Sequence, residues 1–82
     1  MSVKEKMIKR LLSMPSDYTF NELCSLASKL ECTISQDGNG SRCLLISSTG
    51  KRLCFHKPHG YSYFKKYIIK DFIVFFQREG LI

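Results

Sequence analysis

Short turn segments between β-prone runs restrict the fold of this chain more than any other feature. The runs occupy residues 32–35, 42–47 and 51–57. Six residues, 36–41, separate the first two runs and include DGNG at 37–40, and STG at residues 48–50 separates the last two. The glycines suit the positive-φ positions of hairpin turns. Because a parallel connection needs a dozen or more residues, we expect the three runs to form an antiparallel meander.

Helix signals flank this meander on both sides. Two capping boxes precede it, formed by Ser2 with Glu5 and by Thr19 with Glu22. Together with apolar residues at helical spacing, they predict helices over residues 3–13 and 19–30. A third helix is predicted over residues 65–79, with Gly80 as its C′ residue. The predicted class is α+β, in the order α-α-β-β-β-α, with helices on one face of a three-stranded antiparallel sheet.

Length, hydropathy and cysteine spacing limit the class of protein. The 82 residues make one domain, and a hydrophobic fraction of 44% excludes a disordered tail. The longest apolar run, residues 72–76, is far too short to cross a bilayer, and the polar N-terminus has no apolar leader segment after it. The four cysteines form no C-x-x-C pair, which argues against a structural zinc site. We therefore expect a cytoplasmic protein with free thiols and with neither a metal nor a membrane contact.

The excess of basic over acidic side chains is confined to the second half of the chain. The whole net charge of +6 falls in residues 42–82, because acidic and basic side chains balance in residues 1–41. Such a cationic flank is typical of proteins that bind a polyanion such as RNA. The alternative is a solvated basic face on an ordinary small protein. The candidate RNA-binding residues are Lys51, Arg52, Lys57, Lys65 and Lys66.

Both histidines of the chain, His56 and His59, lie in this cationic half. An imidazole can take and give a proton near neutral pH, which suits acid–base catalysis. Strand alternation places His56 on the same face as Arg52, and we expect Arg42 of the neighbouring strand on that face too. The alternative is a surface or hydrogen-bonded histidine beside a proline, without a catalytic role.

The remaining aromatic and apolar residues of the second half leave two questions open. Tyr61, Tyr63 and Tyr67 either stack on bases or form a wall of the core, and we favour the core. Val74 and Phe75 add apolar surface beside the core stripe of the last helix. Either a partner protein covers that surface or the monomer is slightly apolar there.

An ordered set of motifs in this chain resembles one known family. A helix led by Thr19 precedes a Gly-Ser turn at residues 40–41. A basic strand then ends in His-Lys-Pro-His at residues 56–59, and the last helix closes on Gly-Leu-Ile at residues 80–82. This order is similar to that of the HicA toxins, the small mRNA interferases of type II toxin–antitoxin pairs.

The resemblance implies a fold, an activity and a partner. HicA proteins have a double-stranded-RNA-binding-domain-like fold and are taken to cut RNA, without a metal or other cofactor, through a histidine that follows the Gly-Ser turn. A HicB-like antitoxin covers that site. By this resemblance, residues 1–16 form an N-terminal helical addition to a HicA-like core at residues 19–82.

Arg42 stands where the family has its histidine. An arginine keeps its proton and cannot act as a general base, but it can bind a phosphate through two N–H groups or stabilise the charge that develops on it. The resemblance thus implies Arg42, His56 and His59 as catalytic residues of RNA cleavage through the 2′-hydroxyl. The alternatives are a non-catalytic RNA-binding module of the same fold and a small protein–protein adaptor.

Overall fold

The computed structural model describes residues 2–36, 41–58 and 62–82. Its elements are α1 (Val3–Leu12), α2 (Phe20–Lys29), β1 (Thr33–Gln36), β2 (Arg42–Ile46), β3 (Arg52–His56) and α3 (Lys66–Arg78). The α+β class and the order α-α-β-β-β-α confirm the prediction, and every predicted boundary lies within one residue of the observed one. None of the helices in the described ranges is long and apolar enough to cross a membrane.

Capping side chains set the beginnings of the first two helices. The backbone N–H of Glu5 donates to Ser2 Oγ at 3.1 Å, and that of Glu22 donates to Thr19 Oγ1 at 3.2 Å. Each bond satisfies one of the N–H groups that a helix leaves without a partner in its first turn. At the other end of the chain, Gly80 has φ +70° immediately after α3, the left-handed conformation expected of a C′ glycine.

The sheet is an antiparallel meander with strand order β1-β2-β3. A tight turn joins β2 to β3, in which the N–H of Gly50 donates to the carbonyl of Ser47 at 3.0 Å. Gly50 has φ +91°, which a residue with a side chain rarely adopts. The hairpin turn predicted at residues 37–40 lies outside the described residues.

The helices cover one face of the sheet and leave the other to solvent. On the covered face, Cys43, Leu45 and Phe55 are buried. Their strand neighbours Arg42 and His56 are exposed on the opposite face, as strand alternation predicts. We call this helix-free side the outer face.

Three phenylalanines join the sheet to α3. The ring of Phe55 on β3 lies 5.9 Å from that of Phe64 and 5.1 Å from that of Phe72, and Phe64 and Phe72 are also 5.1 Å apart. All three pairs are edge-to-face, the arrangement in which the positive ring edge meets the negative ring face. This cluster holds α3 against the sheet.

The first helix belongs to the same core. Leu11 is 0% exposed and packs in one cluster with residues of α2, the sheet and α3. Arg10 on the same helix forms ion pairs with Asp17 at 3.0 Å and Glu22 at 2.8 Å. Because these side chains are partly solvent-exposed, the two ion pairs add little to stability. Burial of Leu11 is therefore the main attachment of α1.

A hydrogen-bonded carboxylate ties the β2–β3 turn to the end of α3. Glu79 Oε1 accepts from Ser47 Oγ at 2.9 Å and from Thr49 Oγ1 at 2.6 Å. These bonds favour the ionised carboxylate and lower the pKa of Glu79 below its ordinary value of 4.5. The contact closes the molecule at the end opposite to the start of α3.

Replacing Leu11 with alanine is expected to lower the free energy of unfolding by about 3 kcal/mol, because it leaves a cavity in a closed part of the core. Urea titration followed by circular dichroism measures this change. The neighbouring Leu12, which is 47% exposed, provides the matched control, and Leu12→Ala is expected to change stability by less than about 0.5 kcal/mol. Equal effects of the two substitutions would mean that α1 is not docked as described.

Acid is expected to weaken the Glu79 contact. A carboxyl whose pKa is lowered by folding stabilises the protein above the ordinary glutamate pKa, and this stabilisation is lost as the pH falls through the lowered value. Glu79→Gln is therefore expected to reduce stability at about pH 7 and to make stability less dependent on pH between about 6 and 3. Asp71→Asn, which removes an exposed carboxylate from α3, is the control, and a pH dependence identical in Glu79→Gln and the unaltered chain would contradict the assignment.

Candidate nucleic-acid interface

The outer face is cationic around a small apolar centre. Its side chains from β2 and β3 are Arg42, Leu44, Ile46, Arg52, Cys54 and His56. No acidic residue occurs in any of the three strands. A face of this composition has a positive potential that an approaching anion meets first.

Arg42 and His56 form a direct cross-strand pair at one end of this face. They are partners in the antiparallel register of β2 and β3, a position in which side chains on one face are neighbours. The N–H of Lys57 donates to the carbonyl of Ser41 at 2.7 Å, so the ladder continues one bond beyond this pair. The backbone under Arg42 and His56 is thus held on both strands.

A hydrogen bond orients the Arg42 side chain. Its Nε–H donates to Cys54 Sγ at 3.0 Å. Cys54 lies on β3 two residues before His56, so the bond runs diagonally between the two strands. The guanidinium therefore lies over β3 near Cys54, two residues along the strand from His56. The sequence alone did not indicate that Cys54 contacts Arg42.

Arg52 lies on the same outer face as His56, as predicted, but at the other end of β3. The two positions are four residues apart along the strand, which corresponds to about 13 Å between their Cα atoms. Arg52 is therefore not a direct neighbour of the Arg42–His56 pair.

The predicted RNA-binding residues separate into two groups. Lys51 and Arg52 lie at the β2–β3 turn, where the Glu79 carboxylate is close enough to interact electrostatically with Lys51. Lys57 lies at the opposite end of β3, where it directly follows His56, and it lines one groove. Lys65 and Lys66 line a second groove that shares Ser62 and Tyr63 with the first. The second group has no such neighbouring carboxylate among the described lining residues.

Lys57 directly follows His56, and the two side chains point to opposite faces of the sheet. Its Nζ is 4.7 Å from the centre of the Phe20 ring, a cation–π contact with the first residue of α2. Strand alternation directs its side chain toward the helices, whereas His56 points to the outer face. Lys57 therefore carries positive charge around the end of β3, from the outer face toward the helices.

Among the three described helices, α3 is the one whose N-terminus has neither a capping side chain nor an acidic residue to balance its partial positive charge. Its N-cap residue, Lys65, makes no side-chain capping bond, and its first turn contains no acidic residue. The first turns of α1 and α2 each contain a glutamate. A cation at a helix N-terminus is unfavourable, and a phosphate bound nearby would remove the conflict.

The structure corrects the interpretation of the tyrosines. Tyr63 is 52% and Tyr67 is 64% exposed, so our preference for a core role was wrong for both. The tyrosine that does lie in the core is Tyr18, 1% exposed and 6.3 Å from the Phe64 ring. Tyr61 and the second histidine, His59, lie outside the described residues, and their predicted roles stay predictions.

Some of the apolar side chains that the sequence placed outside the predicted core are half-buried in the structure. Phe75 is half-buried and packs against the core, with its ring 5.9 Å from that of Phe76. Leu44 and Ile46 are half-buried on the outer face. The apolar centre of that face is thus the part that a partner would cover.

No metal-binding group is found within residues 2–36, 41–58 and 62–82, where no three His, Cys, Asp or Glu side chains could hold one ion. The four cysteines are free thiols. Cys32 and Cys43 are buried, Cys24 is half-buried and Cys54 is exposed on the outer face. Burial raises the pKa of the Cys32 and Cys43 thiols, which keeps them protonated and unreactive.

Comparison with protein-family models, with curated proteins and with solved structures finds no match for the chain. The likeness to HicA toxins rests on the motifs quoted above, and what it implies about activity and partner is a proposal.

The outer face predicts which thiol reacts first. Iodoacetamide is expected to modify Cys54 in the folded protein well before Cys32 and Cys43, because reaction requires an accessible thiolate. Peptide mass mapping after short exposures locates the adduct, and unfolding in urea provides the control in which all four thiols react. Equal reaction of Cys43 and Cys54 in the folded protein would contradict the assignment of faces.

Proposed function

We propose that this protein is a cytoplasmic RNA-cleaving toxin of the HicA type, an mRNA interferase that a HicB-like antitoxin neutralises. The observation that carries the proposal is the direct pairing of Arg42 with His56 on the helix-free face of the sheet. This pairing puts a permanent cation beside a group that can exchange a proton. Phosphodiester cleavage through the ribose 2′-hydroxyl requires both.

In the proposed reaction, the neutral His56 imidazole takes the proton of the 2′-hydroxyl. The 2′-oxygen then forms a bond to the adjacent phosphorus, and the bond from phosphorus to the 5′-oxygen breaks. The leaving 5′-oxygen receives a proton from an acid, and the products are a 2′,3′-cyclic phosphate and a 5′-hydroxyl. The sequence offers His59 for that last role, which stays a prediction.

Arg42 supplies the electrostatic part of the mechanism. Negative charge grows on the non-bridging phosphate oxygens as the pentacoordinate phosphorus forms, and a guanidinium held beside them stabilises it. The bond from Arg42 Nε to Cys54 Sγ leaves the guanidinium positioned over β3 before RNA arrives. A pre-positioned cation needs no reorganisation during the reaction.

The same face supports the proposed antitoxin partner. Half-buried Leu44 and Ile46 lie between the cationic residues Arg42 and Arg52. A partner that fits this surface has an apolar centre with acidic groups around it. Such a partner excludes RNA because it occupies the same side chains.

A specific observation favours a second candidate, a non-catalytic RNA-binding module. On the described part of the outer face, the strand pair carries one imidazole, and its direct partner is a guanidinium that cannot accept a proton. If a second proton-transfer group is missing, the face binds phosphate without breaking it. The two candidates predict the same contacts and differ in product formation.

Cleavage of a long single-stranded RNA in EDTA tests the proposal. The unaltered chain is expected to form fragments with 2′,3′-cyclic phosphate ends, and His56→Ala is expected to lower the rate at least about 100-fold because general-base catalysis is lost. Arg42→Ala is expected to weaken both binding and cleavage. Lys4→Ala, which removes an exposed cation from α1, is the matched control and is expected to change neither.

Binding measured in the same samples separates the candidates. Salt-dependent binding without cleavage, with a log–log salt slope that falls by about 0.7 in Arg42→Ala, would identify an RNA-binding module. RNA should also protect Cys54 from iodoacetamide, since it covers the outer face. Neither binding nor protection would overturn both candidates and leave the adaptor interpretation.

A further inference from the structure

Tyr63 forms the ridge between two grooves at the end of the molecule that carries Arg42 and His56. The first groove, about 380 Å³, is lined by Thr19, Phe20, Asn21, Lys57, Pro58, Ser62 and Tyr63, and we call it the Lys57 groove. The second, about 690 Å³, is lined by Ser16, Ser62, Tyr63, Phe64, Lys65 and Lys66, and we call it the α3 groove. The two share Ser62 and Tyr63, so they form one continuous surface.

The packing of Tyr63 leaves its ring available to a ligand. Its side chain is 52% exposed, a large area for an aromatic residue that has the core beside it. Within residues 2–36, 41–58 and 62–82, none of the ring contacts between aromatic side chains involves Tyr63. The adjacent Phe64, by contrast, is 3% exposed and contacts three other rings.

Cations lie on both sides of this ring. Lys57 lines the groove on one side, and Lys65 and Lys66 line the groove on the other. An aromatic ring with cations at both flanks is the arrangement by which proteins hold an unpaired nucleotide, because the base stacks on the ring while the phosphates before and after it meet positive charge.

The Lys57 groove begins next to the proposed cleavage site. Lys57 follows His56 directly in the chain, about 3.3 Å along the backbone. Among the described residues, Lys57 and Pro58 therefore connect the end of β3 at His56 to the lining of this groove, which also includes Tyr63.

From this arrangement, and resting on the proposed function, we infer that the substrate is single-stranded RNA and that Tyr63 is the platform on which one of its unpaired bases stacks. A duplex cannot use this platform, because its bases are already paired and stacked on one another. The site therefore selects unpaired RNA by shape and stacking, independently of the cleavage residues. Lys57, Lys65 and Lys66 bind the phosphates on the two sides of the stacked base.

Binding of a labelled RNA of about 12 nucleotides tests this inference, in single-stranded and in duplex form, by fluorescence anisotropy. The probe carries 2′-O-methyl groups, so it lacks the nucleophile and stays intact. Tyr63→Ala is expected to weaken single-strand binding at least about fivefold, whereas Tyr63→Phe, which keeps the ring, is expected to bind as the unaltered chain does. Tyr67→Ala removes a tyrosine that is 64% exposed but lines neither groove, and it is the matched control with unchanged affinity.

The variants distinguish failure of this inference from failure of the proposed function. If Arg42→Ala weakens binding and Tyr63→Ala does not, the outer face binds RNA and the stacking platform is overturned alone. Equal losses in Tyr63→Ala and Tyr63→Phe would assign the effect to the hydroxyl, and equal affinity for duplex and single strand would overturn the selection for unpaired RNA. Absence of any RNA binding overturns both proposals. Thermal unfolding of each variant by circular dichroism checks that the chains compared are folded.

Discussion

The edge-to-face packing of Phe55 against Phe64 and Phe72 is the contact on which the rest of the structure depends. It holds α3 on one side of a sheet that has only three strands, and it fixes which side chains of β3 point inward. Because strand side chains alternate, burial of Phe55 directs His56 to the outer face. A register shift of one residue would expose Phe55 and bury the imidazole, so core packing and the position of His56 are the same constraint.

The Arg42–His56 pair follows from that constraint and from the register between the strands. The buried partner pair Cys43 and Phe55 lies one position away, and the bond from Lys57 to Ser41 lies just beyond. The site therefore stands on a part of the sheet that is packed beneath and hydrogen-bonded on both sides. The sheet thus fixes the backbone positions of both residues, which is the property that the proposed electrostatic preorganisation requires.

Local chemistry made the elements and the faces of this protein predictable. The capping bonds of Ser2 and Thr19 and the positive φ of Gly50 are short-range features, and the alternation in β2 and β3 is a property of the strand itself. The distribution of cations between two ends was not predictable, because it depends on α3 returning along the sheet to place Glu79 at the β2–β3 turn. The exposure of Tyr63 and Tyr67 also depends on tertiary packing, in which Tyr18 from another segment is buried against Phe64.

With Arg42 at this position, phosphate binding does not depend on the group that transfers a proton, as it would with a histidine there. A guanidinium keeps its charge at every working pH, so the attraction between this end of the outer face and a phosphate does not depend on a proton. In the proposed function, proton transfer falls to His56 among the described residues of the strand pair. Phosphate binding and proton transfer then belong to different side chains, joined because the strand register makes Arg42 and His56 neighbours. A protein built in this way can lose its chemistry and remain an RNA-binding protein, which is why the two proposed functions share one surface.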